Sequence, residues 1–314
     1  MNVQVDTKGL SVDDALGQFI TWLRFRGVRP ATIAAHSQKL KQFFGVMNIE
    51  QLEQISAALV GRWLESMREQ TILYADHPYR RPVTRTLSSV TIRERLKSVR
   101  YFMRVCVKMG LLPADPLASL PAPKFEKVRV QKRTMRKETV HSLLDFATHP
   151  RDLALIAFMA DTGVRVGEVV SLKVADLDLE NLSAVIDGKT SVRRVTFSSQ
   201  CAVLLANWLE KHFVPENQRI FVFVGIGNRS RGKKLSENAV RILFRKLGKA
   251  AGTSGPINPH AMRHLVGQLW TDMANPRLAQ EKLGHSDLKT TLAFYYHPDY
   301  SQIADKTEDL SLLQ

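Results

Sequence analysis

Cysteines and long apolar runs are scarce in this sequence, and each shortage excludes a class of protein. The two cysteines, Cys106 and Cys201, are far apart and lack metal-ligand spacing, so we expect buried thiols and no disulfide framework. No window approaches the roughly 18 consecutive apolar residues of a membrane-spanning helix. The opening segment, MNVQVDTKGL, lacks the apolar core of a signal peptide. We therefore expect a cytoplasmic protein without a membrane-spanning segment.

Acidic residues are also scarce relative to basic ones. The 314 residues include 45 lysines and arginines but only 30 aspartates and glutamates, which gives a net charge of +15 and a pI near 10.0. A surplus of this size predicts a polyanionic partner, because contact with phosphates releases counter-ions. Composition alone leaves DNA, RNA and an anionic membrane surface open as that partner.

The order of apolar patterns and prolines predicts a mainly α-helical protein with a small β-sheet, of the α+β class. We expect an all-helical domain over 1–120, a basic linker over 121–136, a mixed domain over 137–300 and a C-terminal tail over 301–314. Strand-like alternation around a Gly-Lys-Thr-Ser turn predicts a hairpin over 182–197. Residues 71–88 have the prolines and polar composition of a loop.

A basic helical face marks the first domain. The predicted helix 91–109 carries one acidic residue, Glu94, among many basic ones. Charged faces are usually solvated surface, but the shortage of acids here favours contact with nucleic acid. Our candidate DNA-binding residues lie on this helix and in the linker: Arg93, Lys97, Arg100, Arg104, Arg129, Lys132 and Arg133.

The first polar cluster of the second domain is DTGVRVGEVVSL, residues 161–172. Arg165 follows a Thr-Gly helix break, opens a short predicted helix over 166–172 and precedes Glu168 by three residues. An arginine in an apolar segment needs an anionic partner. That partner is either Glu168 itself or an external anion, and the residues alone leave both open.

The second polar cluster is NPHAMRHLVG, residues 258–267. Asn258 suits an N-cap and Pro259 the first helical position. His260 and Arg263 then share one face of the first turn, where free N–H groups and the helix dipole favour anions. The alternative is an ordinary surface helix start.

The third polar cluster is LGHSDLKTTLAFYYHP, residues 283–298. Gly284 is expected to end one helix and Ser286 to begin another, over 286–296, which leaves His285 in the joint. A single histidine in such a joint is more often structural than functional.

Taken in order, these clusters resemble the motifs of the tyrosine recombinase (phage integrase) family. The first box matches Thr162–Glu168, the His-x-x-Arg box matches His260–Arg263, and the Leu-Gly-His box matches Leu283–His285. The family's hairpin lysine matches Lys189, although this chain has Gly-Lys-Thr where Gly-Lys-Gly is common. The N-terminal half resembles the family's core-binding domain in FITWLRFRGVRPATIAAH, SVTIRERLKSVRYFM and GLLPADPLASLPAPK. The resemblance covers about residues 11–300.

This resemblance implies a site-specific recombinase that needs no metal, ATP or other cofactor. A tyrosine would attack a DNA phosphodiester, form a 3′-phosphotyrosyl intermediate and exchange strands through a Holliday junction. Arginine and histidine would stabilise the phosphate, and a lysine would protonate the leaving 5′-oxygen. The implied catalytic residues are Arg165, Lys189, His260, Arg263, His285 and Tyr295.

The choice between the adjacent tyrosines follows from two anchors in the family pattern. The nucleophile commonly lies nine or ten residues after the histidine of the Leu-Gly-His box and is followed by x-His. Position ten after His285 is Tyr295, and His297 lies two residues further on. Neighbouring helical residues point about 100° apart, so we expect Tyr296 to pack rather than react.

The resemblance also implies the partners of the protein. We expect double-stranded DNA with specific paired recombination sites, bound by a homotetramer in the nucleoid of a prokaryotic cell, and no membrane partner. About ten residues precede the first predicted helix, which favours a simple Xer-like or transposon-encoded recombinase. The alternatives are a type IB topoisomerase and a non-catalytic DNA-binding protein. Apolar residues in the tail, such as Ile303 and Leu310, favour a recombinase because they suit docking on a neighbouring protomer.

Overall fold

The computed structural model describes residues 9–73, 81–121, 134–188, 192–273 and 275–284. The chain divides into two compact units, Met1–Arg129 and Val130–Gln314. Helices dominate both units and the strands are short and antiparallel, so the predicted mainly-α class with a small sheet is confirmed. The domain limits inferred from the sequence stay a prediction. No α-helix within the described ranges is long and apolar enough to cross a membrane.

The N-terminal unit is built from capped helices around an aromatic core. Its helices are α1 (Val12–Phe25), α2 (Pro30–Met47), α3 (Ala57–Glu69) and α4 (Ser89–Lys108). Serine hydroxyls accept N–H bonds at the starts of α1, α3 and α4, which satisfies donors that the helices leave unpaired. In the core, the rings of Phe43 and Trp63 lie 4.5 Å apart and those of Phe19 and Phe102 meet edge to face at 5.3 Å.

The segment 71–88 differs from its prediction as a loop. Strand β1 (Ile72–Leu73) pairs antiparallel with β2 (Val83–Thr84), with Ile72 opposite Thr84. Each strand has two residues, and Val83 and Thr84 are exposed. A pair this short leaves no alternating apolar pattern in the sequence, which is why composition indicated a loop.

The C-terminal unit surrounds the apolar helix α6. Its elements in chain order are α5 (Lys137–Asp145), α6 (Pro150–Thr162), α7 (Val166–Val169), β3 (Leu177–Asp178), β4 (Ser183–Asp187), β5 (Val192–Thr196), α8 (Ser199–Glu210), α9 (Glu237–Ala250), α10 (Pro259–Met273) and α11 (Pro276–Leu283). Buried residues on all sides of α6, including Leu155, Ile156 and Phe158, place it inside the core. Its C-terminal end leads directly into the first polar cluster.

The three strands β3, β4 and β5 form an antiparallel sheet in that order, within the described part of the unit. The pairing of Ile186 with Arg193 and of Asp187 with Val192 confirms the predicted hairpin. Helix α7 ends at Val169 rather than at residue 172. The predicted helix 286–296 lies outside the described residues.

Candidate active site

The C-terminal end of α6 makes a sharp turn at Gly163. This residue has a φ of 63°, in the left-handed region that favours glycine. A Cβ at Gly163 would lie 2.8 Å from Leu283 Cδ2 and 3.0 Å from Val266 Cγ1. The missing side chain therefore lets the segment before Arg165 pack directly against α10 and the end of α11.

Arg165 caps α7 and is held by Glu168. One carboxylate oxygen, Oε2, accepts the backbone N–H of Arg165 at 2.8 Å, and Oε1 accepts a guanidinium N–H at 2.9 Å. The internal ion pair considered from the sequence is thus present. The Arg165 side chain is nevertheless 40% exposed, whereas that of Glu168 is 5% exposed. Glu168 therefore orients Arg165 and leaves its guanidinium accessible to an anion.

Arg193, on β5, is a second cation on the same carboxylate. Its Nη1 donates to Glu168 Oε1 at 3.1 Å and its Nη2 donates to Oε2 at 2.8 Å. Burial would raise the pKa of Glu168, but the hydrogen bonds from Arg193 and Arg165 outweigh burial and hold that pKa at about 2. Glu168 is therefore a carboxylate at every physiological pH.

Arg263 lies in the first turns of α10 and joins three segments of the chain. Asn258 caps the helix as predicted, because its Oδ1 accepts the N–H of Ala261 at 2.9 Å. The guanidinium of Arg263 is buried, with Nη1 donating to Gly163 O at 2.7 Å and Nη2 donating to Leu283 O at 2.6 Å. The His-x-x-Arg box, the Thr-Gly turn and the residue two before His285 therefore meet at one cation.

These carbonyl contacts modify the expected role of Arg263. The sequence suggests an arginine that donates two N–H bonds to a phosphate. In the structure one hydrogen of each terminal nitrogen is directed to a backbone carbonyl. A phosphate would therefore share this guanidinium with the backbone, and Arg263 holds the site together as well as contributing charge to it.

His260 and His264 form a pair on α10. Their Nε2 atoms are 2.9 Å apart and their rings meet edge to face at 4.2 Å. A hydrogen bond between them requires that one Nε2 is protonated and donates while the other is unprotonated and accepts. The contact would be lost if both Nε2 atoms were protonated. His260 is exposed, which leaves its ring accessible to a reacting group.

The end of α11 is packed tightly onto β5. Gly284 has a φ of 63°, and a Cβ there would lie 2.7 Å from Arg193 Cδ. Lys282 Nζ donates to Thr196 O at 3.0 Å and lies 4.4 Å from the centre of the Trp270 ring. Burial lowers the pKa of Lys282, and nearby Asp161 opposes this effect. These contacts set the position from which the chain continues towards residue 285.

Three of the candidate catalytic residues, Lys189, His285 and Tyr295, lie outside the described residues. The structure does place the residues that flank two of them. Strands β4 and β5 lead into and out of the hairpin that carries Lys189, and Gly284 directly precedes His285. The structure describes the other three. Arg165 lies at the start of α7, and His260 and Arg263 lie in the first turns of α10.

The candidate DNA-binding residues of α4 have different surroundings. Arg93, Lys97 and Arg104 are exposed, and Lys97 pairs with Glu94 at 2.7 Å. Arg100 instead donates through Nη2 to Leu120 O at 2.6 Å and to Pro121 O at 2.9 Å. Arg100 therefore anchors the end of the helical unit. The linker candidates Arg129, Lys132 and Arg133 lie outside the described residues.

A groove of about 940 Å³ runs between α2 and α4. Basic residues from both helices line it, among them Lys39, Lys97 and Arg104. Lys39 was not among the candidates from the sequence, because the two lysines of α2, Lys39 and Lys41, are too few to mark a basic face like that of α4. The groove adds a second helix to the basic surface that could follow a phosphate backbone.

Arg193 is the residue of the site that sequence reasoning missed. The signal that could have revealed it is the alternation along β5, where Arg193 shares a strand face with the buried Val195. An arginine on the inner face of a strand must find a carboxylate. The first polar cluster contains two acids, Asp161 and Glu168, and the structure pairs Arg193 with Glu168.

The chain is similar to known recombinases over most of its length. The pattern of the Phage integrase family matches residues 133–302, which is more than half of the chain. The tyrosine recombinase XerC of Bacillus pumilus strain SAFR-032 is 27% identical over 289 residues, covering 88% of this chain and 89% of that protein.

Two solved structures share the fold. The integrase of the transposon Tn1549, in complex with transposon right-end DNA, has a TM-score of 0.72 and 18% identity, and the match covers 96% of this chain and 99% of that chain. A lambda integrase tetramer bound to a Holliday junction has a TM-score of 0.69 and 17% identity, covering 94% of this chain and 79% of that chain.

The packing at Gly163 generates a stability prediction. Gly163→Ala should lower the free energy of unfolding by about 2–4 kcal/mol, because a left-handed alanine costs about 1 kcal/mol and the clash with Leu283 and Val266 adds about 1–3 kcal/mol. Gly252→Ala is the matched control, since Gly252 has a φ of 61° but its Cβ would meet nothing within 4 Å. Urea unfolding measures both variants, and equal losses would show that the contact with α10 and α11 contributes nothing.

Proposed function

The chain belongs to the phage integrase family and is a site-specific tyrosine recombinase that cleaves and rejoins DNA, and we propose that Tyr295 is its nucleophile. The phenol oxygen would bond to the scissile phosphorus while the 5′-oxygen leaves, which conserves the phosphodiester as a 3′-phosphotyrosyl ester. Rejoining reverses the step with the 5′-hydroxyl of the partner strand, so neither ATP nor a metal is required.

The observation that supports phosphate chemistry at this site is the buried guanidinium of Arg263 between Gly163 O and Leu283 O. These two bonds bring together the segment before Arg165, the turn that carries His260 and the segment before His285. Negative charge builds on the non-bridging oxygens in the transition state, and preorganised cations stabilise it there. Arginine suits this task because it stays charged and its planar fork fits phosphate.

The remaining roles follow from protonation chemistry. Tyrosine has a pKa near 10 and reacts poorly while protonated. We assign His260 as the group that takes its proton, with His264 in contact behind it. His285 would add a further donor to the phosphate. Lys189, on the hairpin turn, would protonate the leaving oxygen, and Arg193 four residues further on supports this placement because it tethers β5 to Glu168.

We further propose that the substrate is double-stranded DNA with paired recombination sites, on which four copies assemble. The basic face of α4 and the groove beside it support DNA contact by the N-terminal unit. The lambda integrase neighbour, solved as a tetramer on a Holliday junction, supports the assembly. The XerC relative of Bacillus pumilus, which matches over 88% of this chain, is a recombinase, and this favours recombination over topoisomerase activity. A bacterial nucleoid location accords with these partners.

The choice of nucleophile is tested by separate Tyr295→Phe and Tyr296→Phe substitutions. On a nicked suicide substrate, Tyr295→Phe should abolish the covalent protein–DNA complex, because phenylalanine has no oxygen to attack phosphorus. Tyr296→Phe, the matched control, should retain the complex within about threefold of wild type, since packing contacts change little with loss of one hydroxyl. The opposite pattern, read on a denaturing gel, would shift the nucleophile by one residue.

The role of Lys189 is tested by changing the leaving atom. Lys189→Ala should cleave normal DNA about 100-fold or more slowly, as expected for loss of a general acid. A substrate with sulfur in place of the bridging 5′-oxygen should restore most of the rate, because a thiolate leaves without a proton. Arg165→Ala serves as the control that sulfur should not rescue. Equal defects on both substrates would assign the protonation to another group.

A further inference from the structure

Arg193 forms a buried ion pair with Glu168, and folding stability alone does not account for this pair. Its side chain is 9% exposed and makes two hydrogen bonds to Glu168, which is 5% exposed. Two opposite charges removed from water gain little net stability over apolar side chains of similar volume. A pair of this kind beside a functional arginine therefore points to a role in the reaction.

The charges around Glu168 define that role. Glu168 contacts two arginines, Arg165 at 2.9 Å and Arg193 at 2.8 Å, so the three groups together carry one positive charge. Without Arg193, the carboxylate and Arg165 would form a neutral pair. A neutral pair would still place the Arg165 guanidinium but would present no net charge to an anion.

We propose that Arg193 is a positioning residue that neutralises Glu168, so that Glu168 can orient Arg165 without cancelling the charge that Arg165 offers to the scissile phosphate. This inference rests on the proposed role of Arg165. The two arginines differ in exposure: Arg193 is buried and balances the charge of the carboxylate, whereas Arg165 is exposed and remains available to DNA.

The surroundings of Arg193 fit this role. Its Nε is buried and has no hydrogen-bond partner among the described residues, so the hydrogen bonds described for this guanidinium are the two that its Nη1 and Nη2 make to Glu168. Its Cδ, Nε and Cζ atoms occupy the space that a side chain at residue 284 would need. Arg193 therefore also links the strand after Lys189 to the segment before His285.

The test is a double-substitution cycle with Arg193→Met, Glu168→Gln and the combination of both. Single-turnover cleavage of a suicide substrate at saturating DNA gives the rate of the chemical step separately from binding. Arg193→Met should lower that rate about 100-fold, the size of effect seen when one transition-state donor is lost. The double variant restores the net charge of one, so it should cleave at least about tenfold faster than Arg193→Met.

The matched control is Arg194→Met, one residue along β5. Arg194 is exposed and donates to Ser183 Oγ at 3.0 Å, away from Glu168. It should cleave like wild type. Thermal unfolding and DNA binding are measured for every variant, and a double variant that folds, binds DNA and cleaves no faster than Arg193→Met overturns the proposal.

A substrate with an uncharged phosphate keeps the proposal testable if the double variant is unstable. Replacing one non-bridging oxygen by a methyl group removes the charge that Arg165 would offset. The ratio of wild-type to Arg193→Met rates should then fall about tenfold, whereas an unchanged ratio contradicts the counter-ion role. Absence of a covalent complex in wild type would instead refute the proposed function, so the two failures are distinguishable.

Discussion

The buried guanidinium of Arg263 is the constraint on which the site depends. A cation removed from water must find acceptors, because an uncompensated buried charge is strongly destabilising. Arg263 finds them in two carbonyls, Gly163 O, which is 100 residues away in the sequence, and Leu283 O, which is 20 residues away. The C-terminal unit is therefore stable only when the Thr-Gly turn, the His-x-x-Arg box and the end of α11 lie together around Arg263. The glycine at the first carbonyl permits the approach, since any side chain there would meet α10 and α11.

The second constraint is charge. The chain carries +15, which suits a polyanionic substrate, but surplus charge alone gives affinity and no geometry. In the site, one buried carboxylate, that of Glu168, fixes the positions of two of the positively charged side chains. Glu168 accepts hydrogen bonds from the backbone and side chain of Arg165 and from the guanidinium of Arg193. An accessible cation is thereby held in a defined direction, which is the preorganisation that phosphate chemistry requires.

Much of this arrangement is readable from local signals. Capping preferences predict the start of α10 at Asn258-Pro259, and the structure has this cap. A glycine predicts the left-handed turn that ends α11 at residue 284, which is also present. Strand alternation predicts the hairpin around Lys189, and the structure contains both of its strands. The features that the sequence did not predict are either contacts between distant residues or very short elements. The pairing of Arg193 with Glu168 joins residues that are distant in sequence, the carbonyl ligands of Arg263 leave no trace in residue type, and the two-residue strands β1 and β2 lack a pattern. The turn of Arg100 towards the Leu120 carbonyl is likewise invisible until the chain is folded.

The most direct test of the recombinase mechanism is to identify the residue that becomes attached to DNA. The purified protein is trapped on a suicide substrate, the adduct is digested with trypsin and nuclease, and fragmentation mass spectrometry locates the added nucleotide. The peptide TTLAFYYHPDYSQIADK holds three tyrosines, Tyr295, Tyr296 and Tyr300, so the fragment ions must separate them. We predict a nucleotide joined through its 3′-phosphate to Tyr295. Attachment to another residue, or through a 5′-phosphate, would contradict the mechanism proposed for this site.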